Sequence, residues 1–228
     1  MSDDSIFREV DEAIRQEQLK KLWDRYGLIV VAGAVAIVAG VGGYKGWVWW
    51  QAEQARETGA RFVGAQARIE EGKPAEASEI FRSLAQDGPS GYRLLSRFQL
   101  AALYVEQGKI EEAAKLYDEL AGASGGGEVL QDYARLQAAT LRVDTASFDD
   151  LLGKIEPLSK PDNPWRHTAR EILGLSAYRN GDTRVAERYY NLMITDQQTP
   201  ANMRRRAEMM LSLMVQSGGD GTDDSNKN

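Results

Sequence analysis

The chain has 228 residues, 43% of them hydrophobic, with 34 acidic and 28 basic side chains and a net charge of −6. That balance excludes nucleic acid as the main partner, because phosphate binding needs a positive surface. The absence of cysteine and the single histidine, His167, exclude disulfides, thiolate metal sites, cysteine nucleophiles and multi-histidine metal centres within one chain; no cofactor and no small-molecule substrate are expected.

Residues 1–25 place Ile6, Phe7, Val10 and Ile14 at helical spacing, continuing less regularly through Leu19, Leu22 and Trp23. This predicts an amphipathic cytoplasmic helix lying on the membrane or on a partner, or an extension of the helix that follows. Residues 26–50 predict a transmembrane helix. Tyr26 to Tyr44 carries no charge, and Leu28–Val48 as a helix is roughly 32 Å long, close to the hydrocarbon thickness. Lys45 can snorkel. Trp23 and Tyr26 on one side and Tyr44, Trp47, Trp49 and Trp50 on the other suit the two interfaces. A cleavable signal peptide fits less well, since the preceding polar region is long and acidic and GWVWWQAEQA offers no clean small-x-small site. Arg8, Arg15, Lys20, Lys21 and Arg25 precede the span and Lys45, Arg56 and Arg61 follow it, which predicts a cytoplasmic N-terminus. Ala32, Ala36 and Gly40 recur every four residues, and Gly42 and Gly46 form a GxxxG pair, so these small faces are candidates for helix packing in the bilayer.

From residue 54 to 216 strand signals are lacking and a pattern recurs. Ala65 is followed by Gly72, Ala77, Phe81 and Leu84; Ala101 by Gly108, Ala113, Tyr117 and Leu120; Gly174 by Gly181, Ala186, Tyr190 and Met193. The offsets are seven, five, four and three in all three copies. The gap between Gly108 and Gly181 leaves room for a degenerate copy with Ala138, Leu141, Thr145, Leu151 and Ile155 as members, Thr145 standing for the turn glycine. The small residues let two helices pack closely, the glycine permits a left-handed turn, and the aromatic fills the gap toward the next hairpin. Met203–Val215 reads as a capping helix with Arg204–Arg206 and Glu208 on its outer face. Residues 217–228, SGGDGTDDSNKN, read as a disordered tail.

EQGKIEEAAKLYDEL (Glu106–Leu120), EEGKPAEASEIFRSL (Glu70–Leu84) and RNGDTRVAERYYNLM (Arg179–Met193) resemble tetratricopeptide repeats, without the early tryptophan of each first helix. The resemblance implies an all-α protein: one transmembrane helix, then a right-handed solenoid of about four helical hairpins whose concave face binds peptides or proteins. The whole chain, with its FREVDEAIRQEQLKKLWDRYG lead and a span ending in GYKGWVWWQ, also resembles the YfgM family of ancillary SecYEG translocon subunits. That resemblance implies a single-pass bacterial inner-membrane protein with a periplasmic repeat domain. Its implied partners are the translocon channel, a membrane-anchored chaperone and exported chains. A scaffold for envelope assembly or cell division would use the same domain, and partner identity is not encoded in the sequence.

In such a solenoid the first helix of each hairpin lines the groove. The expected lining is Phe62, Gln66 and Ile69, then Leu95, Phe98, Ala102 and Val105, then Arg135 and Arg142, then Leu175 and Tyr178. It is apolar with some basic character, suited to a segment with hydrophobic anchors. No catalytic residue is expected: His167 after NPWR reads as structural or solvated. Glu111/Glu112 and Asp149/Asp150 read as solvated faces or helix N-terminal charges. GASGGGE (Gly122–Glu128) lacks the lysine and preceding strand of a phosphate loop.

Overall fold

The computed structural model describes residues 3–219, with side chains over 25–29 and 31–216. Among these every regular element is helical, as the pattern predicts. The chain divides into two compact units, Met1–Glu57 and Thr58–Asn228.

The first unit consists of the leading part of α1 (Asp3–Glu70). Among the described residues, one candidate stretch, within Arg25–Glu70, is long and apolar enough to cross a membrane. Its large apolar side chains lie open, Leu28 at 84% exposure, and Trp47 and Trp50 pack on each other at 5.4 Å. The packing candidates Ala32, Ala36, Gly40, Gly42 and Gly46 are all exposed, and a Cβ at any of the three glycines would meet no atom within 4 Å. The amphipathic pattern of residues 1–25 rests on side chains outside the described residues, Arg25 apart, and the tail from 220 onward lies outside them as well.

The second unit stacks four hairpins. The last turns of α1 pair with α2 (Pro74–Asp87), α3 (Ser90–Glu106) with α4 (Ile110–Gly122), α5 (Gly127–Leu141) with α6 (Phe148–Ile155), and α7 (Arg166–Arg179) with α8 (Thr183–Thr195). α9 (Ala201–Gly219) closes the row and runs past the expected Val215. The three turn glycines, Gly72, Gly108 and Gly181, have φ of 74, 72 and 84°. Each ends its helix in the same double bond pattern. Gly108 N donates to Val105 O at 3.0 Å and Lys109 N to Tyr104 O at 2.8 Å, and Gly72/Lys73 and Gly181/Asp182 repeat it. This Schellman arrangement satisfies the last carbonyls, and only glycine adopts that φ without strain. The third turn has Thr145 instead, at no positive φ; it widens over 142–146, with Thr145 N and Ala146 N both donating to Arg142 O.

The small residues meet at the seams. Ala65, Ala77, Ala101, Ala113, Ala138 and Ala186 are fully buried or nearly so. Phe81 packs with Ala65, Ala77, Leu100 and Leu103, bridging the first two hairpins. Tyr117 packs with Ala101, Ala134 and Ala138 toward the third, and Tyr190 with Ala177, Ala186, Ala207 and Met214 toward α9. Complete burial of a side chain such as Phe81 contributes about 2–3 kcal/mol. The degenerate copy holds its seam with Leu136, Leu151 and Ile155 against Ile172, Leu173 and Tyr189.

One expectation for α9 is corrected. Arg204 does not face outward: its Nη2 donates to the carbonyls of Asp196, Gln197 and Thr199, at 3.1, 3.3 and 3.4 Å, closing the α8–α9 loop. Arg206 forms a two-pronged pair with Glu171 on α7. Arg206 remains exposed despite this pair, as do Arg205 and Glu208.

Candidate protein-binding face

The first helices carry the expected lining residues at repeating positions, and their environments differ along the row. Leu95 and Leu175 are open, at 46% and 37% exposure. Gln66, Ala102, Val105 and Tyr178 are half-buried. Phe62 and Ile69 are half-buried against the first core cluster; Phe62 sits edge-on to Phe81 at 5.2 Å and near Tyr92 at 5.8 Å. Phe98 contacts Tyr117 at 6.1 Å and Tyr133 at 5.8 Å. These two phenylalanines therefore share their area between the seam and the surface. Burial pushes the Tyr117 phenol behind Phe98 up to about 12.

The two arginines are held by the protein itself. Arg135 pairs with the buried Asp132 one turn back and reaches Ala121 O. Arg142, at the end of α5, turns to α4: Nη1 donates to Asp118 at 2.7 Å and Nη2 to Glu111 at 3.1 Å. Asp118 also receives Lys154 of α6 at 3.3 Å. Hydrogen bonds from Arg142 hold the Glu111 carboxyl below its ordinary range. Phe62, Gln66, Ile69, Leu95, Phe98, Ala102 and Val105 thus lie on the first helices of the first two hairpins, whereas Arg142 reaches toward second helices.

Sequence reasoning missed an aromatic row. Phe98 on α3, Tyr133 on α5 and Trp165 before α7 are spaced 5.8 and 5.9 Å apart, linking the first helices of three successive hairpins. Tyr133 lies one turn beyond exposed Val129, and NPW ends the loop before α7; those were the available signals.

His167 is 9% exposed and its Nδ1 lies 3.0 Å from Thr199 Oγ1. Burial lowers its pKa, and neighbouring Arg166 and Arg170 add to this against Asp196. Asp196 binds Arg166 Nε at 2.7 Å, Arg170 Nη1 at 3.2 Å and the backbone N of Gln198 at 3.0 Å. The Arg166 hydrogen bond comes first among the causes that hold this carboxyl far below the usual range. These groups tie the start of α7 to the α8–α9 loop. Asp150 closes an N-cap: Ser147 Oγ accepts from its backbone N at 3.2 Å and bonds its carboxylate at 2.6 Å. Among the described residues no group of three or more His, Asp or Glu side chains could hold a metal ion.

The model of the tetratricopeptide repeat-like domain family matches residues 20–214. The chain belongs to that family. No curated protein and no solved structure matches it significantly. Tetratricopeptide-type domains are protein-interaction modules that are generally non-catalytic, and first helices that carry half-buried aromatics and open leucines offer the kind of surface such a module uses.

Proposed function

We propose that this tetratricopeptide protein is a single-span membrane protein and a non-enzymatic scaffold at the exit of the SecYEG translocon. Its N-terminus is cytoplasmic and its repeat domain lies in the bacterial periplasm. The first-helix face receives exported chains or a membrane-anchored chaperone, with Leu95, Phe98, Leu175 and Tyr178 as contacts. One observation carries the reading: the repeat domain has a buried apolar core, while Leu28, Ile37, Val38, Tyr44 and Trp49 stand together 67–84% exposed on one helix. Such a stretch is stable only when something other than water covers it. Its aromatic end and the charges before it support a span with that orientation. The resemblance of the lead and span to the YfgM family supports the translocon as the site of action.

The test is in-membrane photocrosslinking from Leu95 and Tyr178, and from Ala36 and Gly40 in the span. Adducts with exported chains or a chaperone from the first pair, and with the channel from the second, are expected. Adducts with division proteins and a midcell location would overturn the translocon assignment in favour of an envelope scaffold. Protease treatment of spheroplasts should digest the repeat domain from outside; full protection would overturn the topology.

A further inference from the structure

The third hairpin departs from the others, and the departure builds a cleft. The second helices of hairpins one, two and four have 14, 13 and 13 residues, but α6 has eight. A 3-10 turn, Glu156–Ser159, and the segment 160–165, Lys-Pro-Asp-Asn-Pro-Trp, take the place of the missing turns. Three prolines restrict this stretch, and neighbours hold it: Arg170 Nε donates to Ser159 O at 3.0 Å and Trp165 N to Asn163 Oδ1 at 2.8 Å. Against the start of α5 it leaves a space of about 300 Å³.

Val129, Pro157, Pro164 and Trp165 give this cleft apolar walls, and Glu128 and Asp162 add carboxylates against the single cation Lys160. Asp132 also lines it but is neutralised by Arg135. Among the described residues neither Glu128 nor Asp162 forms an ion pair, unlike Glu111 or Asp118 on the neighbouring hairpin. Val129 is 61% exposed, and the Trp165 indole Nε1 is buried with no acceptor. That donor is sealed from solvent, so what Trp165 offers the cleft is its ring. Packing accounts for Tyr133 against Trp165. It does not account for an open valine and two prolines beside two carboxylates that outnumber the cleft's lysine.

We propose that this cleft docks an extended polypeptide segment bearing a lysine or arginine next to an apolar side chain. The apolar group seats between Val129 and Trp165, and the cation reaches Glu128 and Asp162. Charge complementarity selects this partner over an acidic one. The proposal rests on the reading of the domain as a protein-interaction scaffold, and places a second contact on the loop side of the third hairpin.

The test is fluorescence anisotropy with the full-length protein in detergent and a labelled extended peptide of alternating lysine and phenylalanine. Matched peptides carry glutamate for lysine, or alanine for phenylalanine. The lysine–phenylalanine peptide should bind best and weaken with salt. The double variant E128K/D162K, which alters only open carboxylates, should weaken it about tenfold and improve the glutamate peptide. Trp165→Ala should weaken it comparably, and Leu95→Glu should leave it within about twofold. Equal binding of the glutamate peptide, or wild-type affinity in E128K/D162K, would overturn the proposal. So would loss on Leu95→Glu, which would put the peptide on α3 of the second hairpin. If the crosslinks from Leu95 and Tyr178 persist while E128K/D162K is inert, the cleft alone is refuted; if those crosslinks capture no polypeptide, the scaffold reading fails first.

Discussion

Gly174 is where the repeat geometry makes its sharpest quantitative demand. The other three copies place alanine at this position, Ala65, Ala101 and Ala138, all at most 1% exposed. At Gly174 an added Cβ would lie 3.0, 3.2 and 3.3 Å from the Cζ, Cε2 and Cε1 atoms of Tyr190. Tyr190 is 2% exposed and packed among Ala177, Ala186, Met193, Ala207 and Met214, so its ring has little room to retreat. Gly174→Ala should gain about 1 kcal/mol in helix propensity and lose about 2 kcal/mol to overpacking, for a net loss of about 1 kcal/mol. For a domain of this size that is roughly a 2–4 °C drop in Tm. The control is Gly153→Ala in α6, where a Cβ would meet nothing within 4 Å; it should gain up to about 1 kcal/mol. Thermal unfolding followed by far-UV circular dichroism reads both. Adding Tyr190→Leu should make Gly174→Ala less harmful than it is alone, a coupling that a double-mutant cycle measures. The reasoning is refuted if Gly174→Ala stabilises the protein as much as Gly153→Ala, or if the cycle shows no coupling.

Gly108→Ala forces a side chain into φ +72° and should cost about 1 kcal/mol by denaturant unfolding, with Gly108→Asn recovering part of it. Arg142→Ala should destabilise by about 1 kcal/mol, discounted because Glu111 is largely exposed; polypeptide capture from Leu95 should be unchanged, since Arg142 faces α4. The tie between α7 and the α8–α9 loop makes stability fall in acid in two windows. His167 has a folded pKa below its ordinary 6.5, so between those values the unfolded chain binds more protons and stability declines as pH drops below about 6.5. Asp196 has a folded pKa below 3.8, so its contribution is whole above that value and disappears as pH falls through the lowered one. A pH series of Tm should show the first decline in wild type and not in His167→Gln; an unchanged wild-type Tm between about pH 7 and 5 would count against the His167 part.

How far the sequence carried depends on whether an interaction is local. The turn glycines, the small residues and Phe81, Tyr117 and Tyr190 were legible because each obeys a fixed offset within one hairpin, and their burial follows from helix periodicity alone. Arg142 sits in register with Ile69, Val105 and Tyr178, so periodicity assigns it to their face. Its long side chain instead reaches Glu111 and Asp118, 31 and 24 residues earlier. Arg204 deviates as well, its guanidinium turning back to carbonyls of the α8–α9 loop. Backbone register fixes where a Cβ starts; for a side chain as long as arginine, charge on the adjoining hairpin decides where it ends.

The third hairpin shows the other way in which pattern reading stops short. Its members Ala138, Leu151 and Ile155 are buried as the repeat demands, yet the repeat does not say what replaces a second helix that ends early. Pro157 falls just past the end of α6, and the following prolines restrict φ without supplying amide donors. Side chains join backbone bonds in satisfying the polar groups there: Arg170 and Asn163 pair with Ser159 O and Trp165 N, while Asn163 N donates to Lys160 O. Arg170 is 4% exposed, spanning Ser159 O, Leu192 O and Asp196. The same arginine that fixes the cleft's loop therefore also anchors the α8–α9 connection. Replacing it would loosen both ends of the fourth hairpin together, which is why the cleft is better probed through Glu128 and Asp162, whose carboxylates make no ion pair among the described residues.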